Sequence, residues 1–234
     1  MEATTIREKY LYGILIGIYF LIAFTEIVAE HLGLVHIIVV TKPLMPVTLM
    51  IMYFIASNSR QLLYFIAMFF SFVTNIFFIP DDQNMLFYGL IAFLIHRILV
   101  LILIFKVIKL KDYIPLAIAM LPFLLIFTYL LFSSDVPEKT YYVLILQNLL
   151  IATLGGLALS NYIMQDDRKS MWLLISGLLF VALQFIVFIE KYFLSDLSPA
   201  VFRPIAMALN AFAFYTFLEF VLSSERSDDN SVSI

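Results

Sequence analysis

Residues 85–106 read MLFYGLIAFLIHRILVLILIFK, and this stretch decides the fold. Its apolar side chains run on without alternation, interrupted by His96 and Arg97 and closed by Lys106. As a helix it reaches about 33 Å, enough to cross a hydrocarbon core of roughly 30 Å. A barrel strand would be shorter and would alternate polar with apolar positions. Seven further runs of this kind follow or precede it, at about 11–29, 34–56, 62–80, 113–132, 140–163, 171–190 and 199–222. The segments between them are short and polar, such as Ser57-Asn58-Ser59-Arg60, Asp81-Asp82-Gln83-Asn84 and Asp166-Asp167-Arg168. The predicted fold class is all-α: a polytopic membrane helix bundle of eight transmembrane helices in one domain, residues 1–222. A small, polar tail over 223–234 is expected to be disordered.

Composition agrees with that reading. Of the 234 residues 63% are hydrophobic and 13% charged, and the mean hydropathy is +1.02. A water-soluble domain of this length has no means of hiding so much apolar side chain, and a disordered chain would not carry it. The formal net charge of −3 supplies no positive field for nucleic acid. Cysteine is absent, which removes disulfides, thiol nucleophiles and Cys-bound zinc. The expected partners are therefore the lipid bilayer and a lysophospholipid or other membrane amphiphile, with no nucleic acid. Oligomeric state is not readable.

Orientation follows from the fourteen Lys and Arg residues. With eight spans, Arg7, Lys9, Arg60, Lys106, Lys109, Lys111, Arg168, Lys169 and Arg226 share one side, and Lys139 and Lys191 face the other. The positive-inside rule then puts both termini in the cytoplasm. Arg7 and Lys9 ahead of the first run resemble the start of a signal peptide, but the run is long and no small-x-small site follows, so it is expected to stay as a span. The protein is expected to be multi-pass in the plasma membrane, or the inner membrane of a bacterium.

Polar groups within spans are costly unless they face protein or water, which makes each a functional candidate. They are Glu26, Lys42, Asn75, His96, Arg97, Gln147, Asn148, Asn161, Gln184, Arg203, Asn210 and Glu219. Counted from the span ends, most fall in the outer half or middle of the bilayer, while Arg97, Asn161 and Glu219 fall nearer the inner side. Such a distribution predicts a polar chamber between helices, although hydrogen bonds that glue helices together explain any single amide equally well. Ser71, Thr74 and Asn75 at i, i+3 and i+4 share a helix face. Lys42 lies beside Pro43 and near Pro46, and it can pair with Glu26 or hold an anionic phosphate.

Glu26, Glu30, His31 and His36 gather near the first outer turn. Two carboxylates and two imidazoles suit a metal, but the spacing matches no metal-binding motif, so no metal is expected. No Walker A, GxGxxG or GxSxG motif occurs, and no cofactor is expected. The adjacent Gly155 and Gly156 read as a site of close helix packing.

The order of several segments resembles the lysoplasmalogenase-like (YhhN) family. TKPLMPVTLM (41–50) is similar to that family's Lys-Pro helix start, and FFSFVTNIFFI (69–79) to its Ser-x-x-Gly-Asp helix. YGLIAFLIHRIL (88–99) resembles its Gly-x-x-x-Phe-x-x-x-His helix. SGLLFVALQFIVF (176–188) resembles the later Gly-x-x-x-Phe-x-x-Ser-Asp/Asn segment, and FYTFLEFVL (214–222) the closing Tyr-x-x-x-Gln/His helix. The resemblance covers about residues 40 to 222.

It implies an eight-helix membrane enzyme that hydrolyses the vinyl-ether bond of lysoplasmalogens to a fatty aldehyde and a glycerophospho-alcohol. Such chemistry needs a proton donor, stabilisation of an oxocarbenium ion and a positioned water. Carried over by position, Lys42, Asn75, His96, Gln184, Tyr215 and Glu219 would form the site. This chain departs from the pattern at three points: Asn75, following Thr74, stands where the family has its acid after Gly, Gln184 stands at its second acidic or amide position, and Leu99 where it has Tyr. An amide keeps shape and hydrogen bonds but does not exchange a proton near neutral pH.

The candidate catalytic residues are thus Glu26, Asn75, His96 and Gln184, with Glu26 or His96 as the acid. The candidate substrate-binding residues are Lys42, Asn148, Arg203, Asn210, Tyr215 and Glu219. Two alternatives stand beside hydrolysis: an inactive relative that binds a lipid or amphiphile in the same chamber, and a small transporter. The transporter reading has only a faint internal echo, the seven-residue spacing of Gly89 to His96 and Gly177 to Gln184.

Overall fold

A computed structural model of the chain describes residues 6–80, 82–108, 112–165, 167–193 and 201–232. Eight α-helices follow in chain order: α1 (Ile6–Leu32), α2 (Val35–Ala56), α3 (Leu62–Phe77), α4 (Gln83–Val107), α5 (Ile114–Phe132), α6 (Glu138–Met164), α7 (Arg168–Phe188) and α8 (Phe202–Val232). No strand occurs among the described residues. Among the described residues seven helices are long and apolar enough to cross a membrane. The chain is therefore a multi-pass integral membrane helix bundle.

Local chemistry sets the boundaries. Gly33, at φ 67°, adopts the left-handed conformation that turns α1 directly into α2. Asp82 caps α4 by accepting from the backbone N–H groups of Asn84 (3.0 Å) and Met85 (2.9 Å). Asp167 caps α7 through the Ser170 N–H at 2.6 Å. These two aspartates of the polar connections are thus helix caps.

Three boundaries differ from the sequence expectation. The third helix ends at Phe77 after 16 residues and not at residue 80, because Pro80 biases the residue before it away from helical geometry. At its far end α7 passes into a five-residue π-helical turn, Ile189–Phe193, which rotates Glu190 inward to 8% exposure. The last helix runs past residue 222 to Val232. Its extension is anchored: Glu225 accepts hydrogen bonds from Tyr53 Oη (2.6 Å) and Ser57 Oγ (2.7 Å), beside the α2–α3 turn. Residues 233 and 234 lie outside the described residues.

The helices pack as successive hairpins, α1 with α2, α3 with α4, α5 with α6 and α7 with α8, and the bundle closes through α1 on α8 and α4 on α6. Small residues let the backbones approach. A Cβ on Gly177 would meet the Ala158 Cβ at 2.5 Å, and one on Gly156 would meet the Met120 backbone. The aromatic core runs from Tyr53 and Tyr64 to Phe217 and Phe180. Leu21, Phe24, Leu125 and Tyr129 are exposed on α1 and α5, as lipid-facing side chains are.

Candidate functional site

A cavity of about 220 Å³ opens at the end of the bundle where α1 meets α2, α3 meets α4, and α7 gives way to its π turn. Among the described residues six charged side chains line it, Lys42, Lys191 and Arg203 with Glu30, Asp82 and Glu190. Deeper in, the lining becomes amide and apolar: Asn75, Gln184 and Asn210, then Leu90, Phe93 and Phe214. Gln184 lies six residues before Glu190, about 9 Å further along its helix.

Two ion pairs frame the entrance. Lys42 Nζ donates to Glu30 Oε1 at 2.6 Å, joining α2 to α1. Arg203 Nε donates to Glu190 Oε1 at 2.9 Å, joining α8 to the π turn. Each pair joins residues of two helical elements that follow one another in the chain.

The amides beneath are held by specific backbone needs. In an unbroken helix the Lys42 carbonyl would accept from the N–H of residue 46, but that residue is Pro46 and has none. Asn75 Nδ2 donates to this carbonyl at 3.0 Å. Asn75, with Ser71 and Thr74 beside it, lines the cavity, as the helical spacing predicts. Across the chamber Gln184 Oε1 accepts from Arg97 Nη2 at 3.1 Å. Arg97 also donates to the Gln147 carbonyl at 3.3 Å and lies 4.4 Å over the Phe93 ring. This guanidinium is buried behind the wall, satisfied by neutral acceptors and a π face.

Of the sequence-predicted residues, Lys42, Asn75, Gln184, Arg203 and Asn210 line the cavity together. Five others lie elsewhere. Glu26 is 1% exposed, outside the lining, with neither carboxyl oxygen hydrogen-bonded to any described residue. The lysine expected to pair with it is bound to Glu30, one helical turn further on. His96 is also outside: its Nδ1 donates to the Ala67 carbonyl at 2.8 Å, and its ring is packed against Phe93 and Phe214, which themselves face the chamber. Asn148 points to α5, 3.4 Å from the Phe127 carbonyl. Tyr215 and Glu219 belong to the α1–α8 interface, where Tyr12 Oη donates to Glu219 at 2.7 Å.

The sequence reading missed Glu30, Asp82, Glu190 and Lys191 as lining residues. Glu30 carried a usable signal, since it flanks the same tight turn as Lys42. Glu190 carried none, because its inward direction depends on the π turn. No group of three or more His, Asp or Glu side chains among the described residues is arranged to hold a metal ion.

The model of the YhhN family matches residues 37–219. No curated protein and no solved structure matches the chain. A family match over that share of the sequence places the chain: it belongs to the YhhN family.

Proposed function

Taking membership of the YhhN family as the premise, we propose that the chain binds a single-chain lysophospholipid-type amphiphile in this intramembrane chamber. The observation that carries the reading is the polarity of the cavity: two ion pairs at its mouth and an apolar floor of Leu90, Phe93 and Phe214. A phosphate-bearing head group would lie at Lys42 and Arg203, and the first carbons of the chain would lie on the floor. A cavity of about 220 Å³ suits a head group and the start of a chain, with the remainder of the chain passing between helices into lipid. The amides Asn75 and Gln184 shape the passage between the two zones.

Hydrolysis of a vinyl ether is the second reading, favoured by one feature: Glu30 faces the cavity with a carboxyl oxygen beside Lys42. In that case Glu30, protonated once Lys42 has left it, and not the sealed Glu26, would give its proton to the enol-ether carbon; water would add to the resulting oxocarbenium ion and return a proton to Glu30, and the hemiacetal would collapse to aldehyde and glycerophospho-alcohol. In the state described, both lining glutamates are ion-paired and both family acid positions are amides, which supports binding over turnover. The orientation that goes with either reading has both termini cytoplasmic, eight spans and the chamber mouth toward the extracytoplasmic side.

The test is a titration of lysoplasmenyl-ethanolamine into purified protein, with release of fatty aldehyde followed in the same samples. Binding without aldehyde supports the first reading. Aldehyde release that is lost in Glu30→Gln supports the second. No saturable binding, with Lys42→Met and Arg203→Met indistinguishable from wild type, refutes both.

A further inference from the structure

Glu26 and Glu30 stand four residues apart on α1, and Lys42 reaches across from α2 to bond Glu30 at 2.6 Å. The two carboxyls differ in one respect. Glu30 lines the cavity, whereas Glu26 is sealed from it and both its oxygens lack a hydrogen-bond partner among the described residues. Lys42 and Glu30 are the charged groups that act on Glu26. We infer that Lys42 exchanges between Glu30 and Glu26, and that its move to Glu26 opens a carboxylate subsite at Glu30 for a cationic group of a chamber ligand. The inference rests on the reading of the cavity as an amphiphile site.

The geometry supplies each requirement of such an exchange. Side chains at i and i+4 lie on one helix face, about 5–6 Å apart at Cβ, within the sweep of a four-carbon lysine stem. The backbone need not move, since the Lys42 carbonyl is tied to Asn75 Nδ2 at 3.0 Å. A buried carboxyl without a partner is costly, so the arrival of the ammonium at Glu26 satisfies a group that the present arrangement leaves unmet. Glu30, once released, faces the chamber, where a ligand cation takes the place of the lysine. A ligand that brings both a positive group and a phosphate thus meets a free carboxylate at Glu30 and the Arg203 guanidinium on the other side of the mouth.

The experiment uses the full chain in lipid nanodiscs and two probes of equal chain length, dodecyltrimethylammonium and 1-O-dodecylglycerol. The readout is the ratio of their affinities, which separates recognition of the cation from binding of the chain. Glu26→Gln is expected to lower the preference for the ammonium probe about tenfold, because it removes the alternative partner of the lysine. In a Lys42→Met background Glu30 is already free, so the same substitution is expected to leave the ratio where Lys42→Met alone puts it. Lys42→Met by itself raises the ratio above wild type, and this arm stands even if Glu26→Gln does not fold. A Glu26→Gln ratio equal to wild type, an equal fall with and without Lys42, or no rise in Lys42→Met overturns the exchange. If neither probe binds wild type or any variant, the reading of the chamber as an amphiphile site fails first and the exchange falls with it.

Discussion

The hydrogen bond from Asn75 Nδ2 to the Lys42 carbonyl carries a quantitative consequence. The carbonyl needs an outside donor because Pro46 occupies the position whose N–H it would otherwise use. Asn75→Leu removes that donor while keeping the number of side-chain heavy atoms, and leaves a carbonyl in the second helix unsatisfied. Such a loss costs about 1–3 kcal/mol in a dry interior, and about 1–2 kcal/mol is expected here because Asn75 lines a cavity that water can enter. Asn75→Asp should cost a similar amount, since it sets a carboxylate oxygen against a carbonyl oxygen. The decisive comparison is the same pair of substitutions in a Pro46→Ala background. There residue 46 regains an N–H, the helix closes its own bond, and the cost of losing Asn75 should fall to near zero. Reversible unfolding in mixed micelles, read as a double-mutant cycle, gives the coupling energy directly. If Asn75→Leu costs as much in the Pro46→Ala background as it does with Pro46 in place, the assignment of Asn75 to the proline-freed carbonyl is wrong.

Three other outcomes follow from the geometry. Gln184→Leu deprives the buried Arg97 guanidinium of its side-chain acceptor and should cost about 1.5–3 kcal/mol; the double variant with Arg97→Met should cost less than the sum of the two single changes. Glu225→Ala frees Tyr53 and Ser57, whose oxygens accept from the Gln61 and Arg60 amides, so hydrogen exchange at residues 60 and 61 should accelerate; unchanged protection would mean that the last helix does not hold this turn. Gly177→Ala places a methyl group 2.5 Å from the Ala158 Cβ, forces α6 and α7 apart, and should destabilise by about 1–3 kcal/mol, as thermal unfolding would show.

The sequence made the helices legible because continuous apolar runs in a membrane have few other solutions. Their ends were legible where a polar side chain marks them, as at Asp82 and Asp167, and less so where backbone geometry decides, as at the π turn after Phe188. The chamber was half legible for a related reason. Ser71, Thr74 and Asn75 reveal their common face by spacing alone. By contrast, Gln147 and Asn148 are buried neighbours on a helix whose Leu146 and Leu149 face outward: Gln147 lines the chamber and Asn148 faces α5, and composition gives no sign of which does which. Glu26 and Glu30 share a face, so spacing could not say which one Lys42 binds. His96 and Glu219 lie outside the chamber lining and are each hydrogen-bonded to another helix, at the Ala67 carbonyl and the Tyr12 hydroxyl, which residue type and spacing do not reveal.

The central claim is that an amphiphile enters the chamber with its head at the two ion pairs and its chain on the aromatic floor. A lysophospholipid carrying a diazirine near the start of its chain, photolysed with the protein in nanodiscs and mapped by peptide mass spectrometry, tests it most directly. Adducts are expected at Leu90, Phe93, Leu183 or Phe214, and unlabelled lysophospholipid should compete them away. Adducts confined to outward-facing side chains such as Leu21, Phe24 and Leu125, and indifferent to competitor, would contradict it.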